Sequence, residues 1–305
     1  MLHKRLLAVT IVIGSLAGTA VPVFTQSASA VFRASTDVVL LHVTVTGRAG
    51  RHVEDLTAED FVVLEDGVPQ QVSMVSKAEE PLALSLLLDT SGSMDESIGL
   101  AQRAAIQFTE RLRPSDLAQV VAFNQHVRVI QPFTSNPAEV AAAIRQTTVQ
   151  GTTALYAALQ TSLRELGTVR ATHGIRRGAI VLLSDGEDTS SAVSFDEVFE
   201  LARRSNVSIY PIGLNVRTKV DGRTMNPAPG ILQKFADVTG GRAIFVDRAD
   251  QLSRVYDQVA DELASQYTLA YTPRSSNDGK WHNVTVQVDR TNVAARTRAG
   301  YLATQ

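Results

Sequence analysis

From Pro81 to about Gln266 the apolar positions alternate between solid runs and helical stripes. Leu82–Leu88 is a nearly continuous apolar run, the pattern of a strand covered on both faces. Ile98, Ala101, Ala105, Phe108 and Leu112 then recur at helical spacing. Leu117–Phe123 and Val127–Ile130 read as two strands around Asn124-Gln125-His126, the second an antiparallel edge. Leu155, Leu159, Leu163 and Leu166 mark a helix, Ala179–Leu183 a buried strand, and Phe195, Val198, Phe199 and Ala202 another helix. Val207–Ile212 and Ala243–Val246 complete the strands, and Leu252, Val255, Tyr256, Val259 and Leu263 stripe a closing helix. The order predicts an α/β fold with a doubly wound, mostly parallel, Rossmann-like sheet of about five parallel strands.

On either side the period falls to two. Val39, Leu41, Val43 and Val45 alternate with other residues, Thr57–Asp60 can cap one helical turn, and Phe61–Leu64 and Val68–Val75 flank the hairpin signal Glu65-Asp66-Gly67. After Gln266, Tyr267, Leu269 and Tyr271 alternate, as do Val284, Val286 and Val288, with turn residues Ser275–Gly279 between them. Neither flank has enough strands to enclose a core alone. They are expected to pair into one small sheet or sandwich with the α/β unit inserted. The expected segments are 1–30, 31–77, 78–266 and 267–305.

The first segment changes the cellular picture. His3-Lys4-Arg5, an apolar run from Leu6 to about Phe24, and Ala28-Ser29-Ala30 make a Sec-type signal peptide cleaved after Ala30. Gly14, Gly18 and Pro22 interrupt the run, which argues against a retained membrane span. The expectation is a secreted or periplasmic protein. Cleavage leaves 27 basic against 31 acidic residues, a net charge of −4 with no basic excess for nucleic acid. The chain has no cysteine, so disulfides, thiol catalysis and thiolate zinc sites are excluded.

Candidate chemistry gathers in three short motifs. Asp89-Thr90-Ser91-Gly92-Ser93 follows the first buried strand, Gly151-Thr152-Thr153 precedes a helix, and Ser184-Asp185-Gly186 follows another buried strand. Open α/β sheets bind ligands outside the carboxyl ends of their strands, at the switch point, and all three motifs fall on that edge. The donors Asp89, Ser91, Ser93, Thr153 and Asp185 are all hard oxygens, a set suited to Mg²⁺ or Mn²⁺. Two carboxylates balance a divalent ion and leave room for an incoming carboxylate from an acidic residue of a partner protein.

These residues resemble the von Willebrand factor A domain with its metal-ion-dependent adhesion site. The resemblance implies that Ser91 and Ser93 bind the ion directly, Thr153 directly or through water, and Asp89 and Asp185 mainly through water. It also implies a protein-binding or adhesion module rather than an enzyme, in which a shift of the last helix, about Ala249–Ser265, can couple to the metal. The leading Leu56–Phe61 and Glu65-Asp66-Gly67 and the trailing Tyr267–Tyr271 and Gly300-Tyr301 are similar to a bacterial von Willebrand A-related family described largely from Acidobacteria. An envelope or secretion-assembly scaffold with a structural metal is the alternative, and a hydrolase a remote one.

Other readings lack their chemistry. An aspartic protease needs two Asp-Thr/Ser-Gly loops, but Ser91 separates Thr90 from Gly92, and Ser184-Asp185-Gly186 lacks the intervening hydroxyl. A haloacid-dehalogenase-type phosphatase needs an acid where Ser91 stands, and there is no Gly-x-Ser-x-Gly nucleophile elbow. The six histidines form no His-Glu-x-x-His pair and read as surface or hydrogen-bonded groups. Asp95 and Glu96 read as a solvated first helical turn. Arg170–Arg177 reads as a solvated loop away from the metal edge. Asn215–Gly230 reads as a specificity loop beside it.

Overall fold

The computed structural model describes residues 38–77, 80–185, 188–214, 219–220, 223–224, 228–274 and 278–303. The signal-peptide reading therefore lies outside the described residues. Before the α/β unit come β1 (Val39–Thr46), β2 (Phe61–Glu65), β3 (Val68–Gln70) and β4 (Val72–Lys77). The unit itself runs β5 (Leu82–Asp89), α1 (Ile98–Thr109), β6 (Leu117–Phe123), β7 (Val127–Thr134), α2 (Pro137–Arg145), α3 (Leu155–His173), β8 (Arg177–Ser184), α4 (Phe195–Arg204) and β9 (Ser208–Leu214). It continues with a short ribbon of β10 (Lys219–Val220) and β11 (Arg223–Thr224), then α5 (Ala228–Thr239), β12 (Ile244–Val246) and α6 (Leu252–Ser265). The tail supplies β13 (Tyr267–Tyr271), β14 (Trp281–Val288), β15 (Ala294–Arg296) and β16 (Gly300–Leu302).

The central sheet has the order β12-β9-β8-β5-β6-β7, with five parallel strands and β7 antiparallel at one edge. Every residue of β5 and β8 is buried because helices cover both faces. Leu84, Leu86 and Leu88 face one core with Phe108 and Tyr256, whereas Ala83 and Leu87 face the other with Leu159 and Phe235. That alternation is the strand period of two applied to a sheet with two apolar faces. The strand β5 is followed by β6 on one side and has β8 on the other, so the switch point lies between β5 and β8.

The flanking segments form two four-stranded sheets, β15-β1-β13-β4 and β16-β14-β2-β3. Leu41, Val43, Leu269 and Tyr271 of the first meet Phe61, Val63, Val284 and Val286 of the second in one core. The expected sandwich is present, with two corrections to its strands. Val68–Val75 is not one strand: β3 pairs with β2 through the Asp66-Gly67 turn, both residues at positive φ, while β4 pairs with β13 in the other sheet. The turn-rich Ser275–Gly279 segment likewise joins strands of different sheets rather than a hairpin, since β13 pairs with β1 and β14 with β2.

The outer face of β1 is also buried, because it packs on the α/β unit. Arg296 of β15 pairs with Glu262 of α6, which is 1% exposed, and Arg242 lies 3.5 Å from the same carboxylate. Thr44 Oγ1 donates to Glu262 as well, at 3.4 Å. Arg203 of α4 stacks 4.1 Å over the Trp281 ring of β14. The reading of Arg170–Arg177 as solvated holds for 171–174 and 176, which are exposed, and fails at its two end arginines. Arg177 is 2% exposed and donates to the Leu263 carbonyl (2.6 Å) and to Gln266 Oε1 (3.1 Å). Arg170 belongs to α3 and donates to the Ser205 and Arg176 carbonyls. Local charge density could not reveal the burial of Arg177, whose acceptors Leu263 and Gln266 lie 86 and 89 positions away.

Candidate metal centre

The switch-point crevice is built from the ends of β5 and β8. Asp89 is the last residue of β5 and is fully buried, its two carboxylate oxygens divided between the two strand ends. Ser91 N–H donates to Oδ1 at 2.9 Å, closing an Asx-type turn, and Ser184 Oγ donates to Oδ2 at 2.6 Å. Ser93 Oγ donates to Asp185 Oδ1 at 2.8 Å, which uses its single hydrogen. The 3.1 Å contact between the Ser91 and Ser93 hydroxyls must then have Ser91 as donor. Asp89, Ser91, Ser93 and Asp185 thus form one continuous hydrogen-bonded chain.

Thr153 reaches the crevice from a neighbouring loop. Gly92 N–H donates to the Gly151 carbonyl (2.9 Å), and Gln150 N–H to the Thr90 carbonyl (2.8 Å), so this loop is laced to the first motif by its backbone. Gly151 has φ of +74°, and a Cβ there would strike the Gln125 side chain, 1.4 Å from its Oε1. The same Oε1 accepts from Thr152 N–H at 3.2 Å. Both the turn and the close approach require glycine. No hydrogen bond among the described residues joins the Thr153 hydroxyl to the other four side chains. The structure brings four of the five residues into direct contact and ties the loop that carries the fifth to the first motif through backbone hydrogen bonds.

Electrostatics mark the pair of carboxylates as strained in charge. Burial raises Asp89 to about 6, against the opposing hydrogen bonds from Ser184 and Ser91, and Asp185 adds a like charge. Burial also raises Asp185, with Ser93 opposing. A cation placed between them would relieve both. The donor set is oxygen throughout, and among the described residues no three His, Asp or Glu side chains gather anywhere in a metal-binding group. This chemistry fits a hard divalent ion, balanced by two charges and with positions left over.

Sequence reasoning missed the supporting residues. Ser184 braces Asp89, and Thr90 Oγ1 donates to the Phe123 carbonyl (3.0 Å), tying the motif loop to β6. Asp188, Thr189 and Ser191, just beyond Asp185, bind the loop and helix that carry Thr153. The signal for them is indirect: Ala154 is the cap position of α3 and has no side chain to cap it. Asp95 and Glu96 are exposed, in the turn before α1. Of the Asn215–Gly230 loop, only the β10–β11 ribbon and the start of α5 are described. Residues 228–230 are helical rather than loop. No helix among the described residues is long and apolar enough to cross a membrane.

A doubly wound sheet with an oxygen-only cluster across its switch point defines the class: an α/β domain with hydroxyl and carboxylate donors gathered at its strand ends. The von Willebrand factor type A domain profile matches residues 84–187. The UPF0353 protein of Mycolicibacterium paratuberculosis is 27% identical over 235 residues, 70% of each chain. A von Willebrand factor type A structure from Catenulispora acidiphila superposes with a TM-score of 0.53 at 14% identity, covering 90% of this chain and 76% of the other. Proximal thread matrix protein 1 from the mussel byssus, solved with a zinc-occupied metal-ion-dependent adhesion site, gives 0.53 at 17% identity over 67% of this chain and 50% of its own. Both structural likenesses are at the level of the fold. Domains of this family are in general interaction modules.

Proposed function

We propose that the protein is an exported, metal-dependent binding module that captures an Asp or Glu carboxylate of a partner protein through Mg²⁺ or Mn²⁺. The observation that carries this reading is the chain Asp89–Ser91–Ser93–Asp185 across the β5/β8 crevice, with its two charge-strained carboxylates. Ser91, Ser93 and Thr153 would hold the ion, with Asp89 and Asp185 supplying charge around it. The bound ion supplies Lewis-acid attraction for an incoming carboxylate. The zinc in the mussel protein's site makes Zn²⁺ the comparison ion in any assay; hard oxygen donors favour Mg²⁺ and Mn²⁺ here. Export rests on the N-terminal pattern and places the partner in the periplasm or beyond.

Two experiments test this. The chain from Val31 is used to capture proteins from its own envelope extract in Mg²⁺, in EDTA, and as folded Asp89→Ala and Asp185→Ala variants. The reading requires a partner retained only by the intact, metal-loaded protein. A partner retained in every lane would instead favour a scaffold with a structural metal. The second experiment uses proton competition. Asp89 must be ionised to support the cation, and its proton leaves near pH 6 in the metal-free protein. Mg²⁺ affinity should therefore be about tenfold weaker at pH 5 than at pH 7 by calorimetry. Equal affinity at both values would remove Asp89 from the site.

A further inference from the structure

The helix α3 begins directly after the Thr153 loop, yet its cap position is Ala154, which offers no acceptor for the first helical N–H groups. Those groups are satisfied from another part of the chain. Tyr156 N–H donates to Asp188 Oδ1 (3.0 Å), and Ala157 N–H donates to Ser191 Oγ (3.0 Å). Ser191 in turn donates its hydroxyl to Asp188 Oδ1 (2.5 Å) and its N–H to Oδ2 (3.2 Å), so Asp188 fixes the residue that completes the cap. The same segment grips Thr153 itself. Thr153 N–H donates to Thr189 Oγ1 (3.1 Å), while the N–H groups of Thr189 and Ser190 donate to the Thr153 carbonyl at 2.8 and 3.1 Å.

Asp188 stands three residues after Asp185. The segment 188–191 therefore joins the loop bearing Asp185 to the loop and helix bearing Thr153. Helix capping needs only one acceptor, and a Ser or Asp at position 154 would provide it locally. Placing the acceptors beyond Asp185 instead ties the segment that follows it to the loop and helix that carry Thr153.

We infer that Asp188, with Thr189, is a positioning residue of the cation site: it touches no ion itself but sets the spacing between Asp185 and Thr153. The inference rests on the proposed cation site. Outer residues that hold metal ligands in place commonly contribute 10–100-fold in affinity. Asp188→Ala is expected to weaken Mn²⁺ binding by about tenfold or more. Thr189→Val, which keeps the side-chain shape and leaves the cap intact, should weaken it by a smaller factor. Asp188→Asn keeps one acceptor oxygen for Tyr156 N–H and should recover part of the loss.

The test is Mn²⁺ titration by calorimetry of the chain from Val31, with each variant's unfolding temperature measured separately in EDTA. Asp185→Ala serves as the control. If the unchanged protein fails to bind Mn²⁺, the cation site itself is wrong. If it binds, and folded Asp188→Ala binds equally well, the positioning role is overturned. Should Asp188→Ala fail to fold, Asp188→Asn and Thr189→Val decide the matter: affinity lost by either supports the inference, and unchanged affinity in both overturns it.

Discussion

Replacing His42 by Gln should make the protein progressively more stable relative to the unchanged chain as pH falls from 7 to 4, by on the order of 3 kcal/mol in total. His42 lies on β1 where that strand packs against the α/β unit, and it is 8% exposed. Burial, and then the nearby Arg177, Arg298 and Arg170, lower its pKa from 6.5 to about 3. Its Nε2 has no hydrogen-bond partner among the described residues. The folded state therefore keeps the ring neutral while the unfolded chain takes up a proton below pH 6.5. The stabilising contribution is present above 6.5 and is lost as pH falls toward 3.

Asp89, Asp185 and His282 act with the opposite sign. Asp89 is raised, so the metal-free fold gains relative stability as pH falls from about 6 to about 4. His282 is raised despite its burial, because Asp66 accepts from Nδ1 (2.7 Å) and Asp278 from Nε2 (3.1 Å). Its contribution is complete below 6.5 and fades as pH rises through its folded value. Carboxylates held low by their partners, Asp60 and Asp66 among them, lose stability as pH falls in both proteins, so the difference between the unchanged chain and His42→Gln carries the information. Denaturant titrations in EDTA at pH 7, 5.5 and 4 measure it. A difference that does not vary with pH would show that His42 is not held neutral.

The second large effect concerns Asp185. Substitution by Ala removes one of two charges from the crevice and frees the Ser93 hydroxyl that it holds at 2.8 Å. Cation affinity should fall about 100-fold, the upper end for a group that acts around a metal. Stability in EDTA should move the other way. A carboxylate whose pKa burial has raised is unfavourable as a charge in the metal-free fold, so Asp185→Ala should unfold at an equal or slightly higher temperature without metal. It should gain less from a given Mg²⁺ concentration than the unchanged protein does. A residue with a merely structural role would show a clear loss of stability in EDTA.

Much of this arrangement is legible in the sequence. The unbroken apolar runs of β5 and β8 announce strands covered on both faces, and the hydroxyl and carboxylate motifs follow directly from their ends. Other parts depend on distant neighbours. The division between β3 and β4 at Gln71 is invisible because both halves carry strand-like residues, and only their partners in different sheets separate them. The helix α2 is only nine residues long, yet Val140, Ala143 and Ile144 share its buried face, Asn136 accepts from Ala138 N–H and Pro137 opens the first turn, both start signals. Arg170 and Arg177 look like surface charge until the sandwich covers them. The trans cap of α3 is signalled only by what Ala154 lacks.

The central claim is a divalent ion held by this oxygen cluster with a position open to a carboxylate. Its most direct measurement is water-proton relaxation during titration of the chain from Val31 with Mn²⁺. One site is predicted, with enhanced relaxation from exchangeable waters on the ion. The enhancement should fall when a peptide bearing Asp or Glu is added and not with its Asn or Gln counterpart, and the site should weaken about 100-fold in Asp185→Ala. Enhancement that persists unchanged in Asp185→Ala, or that no acidic peptide alters, would contradict metal-bridged capture.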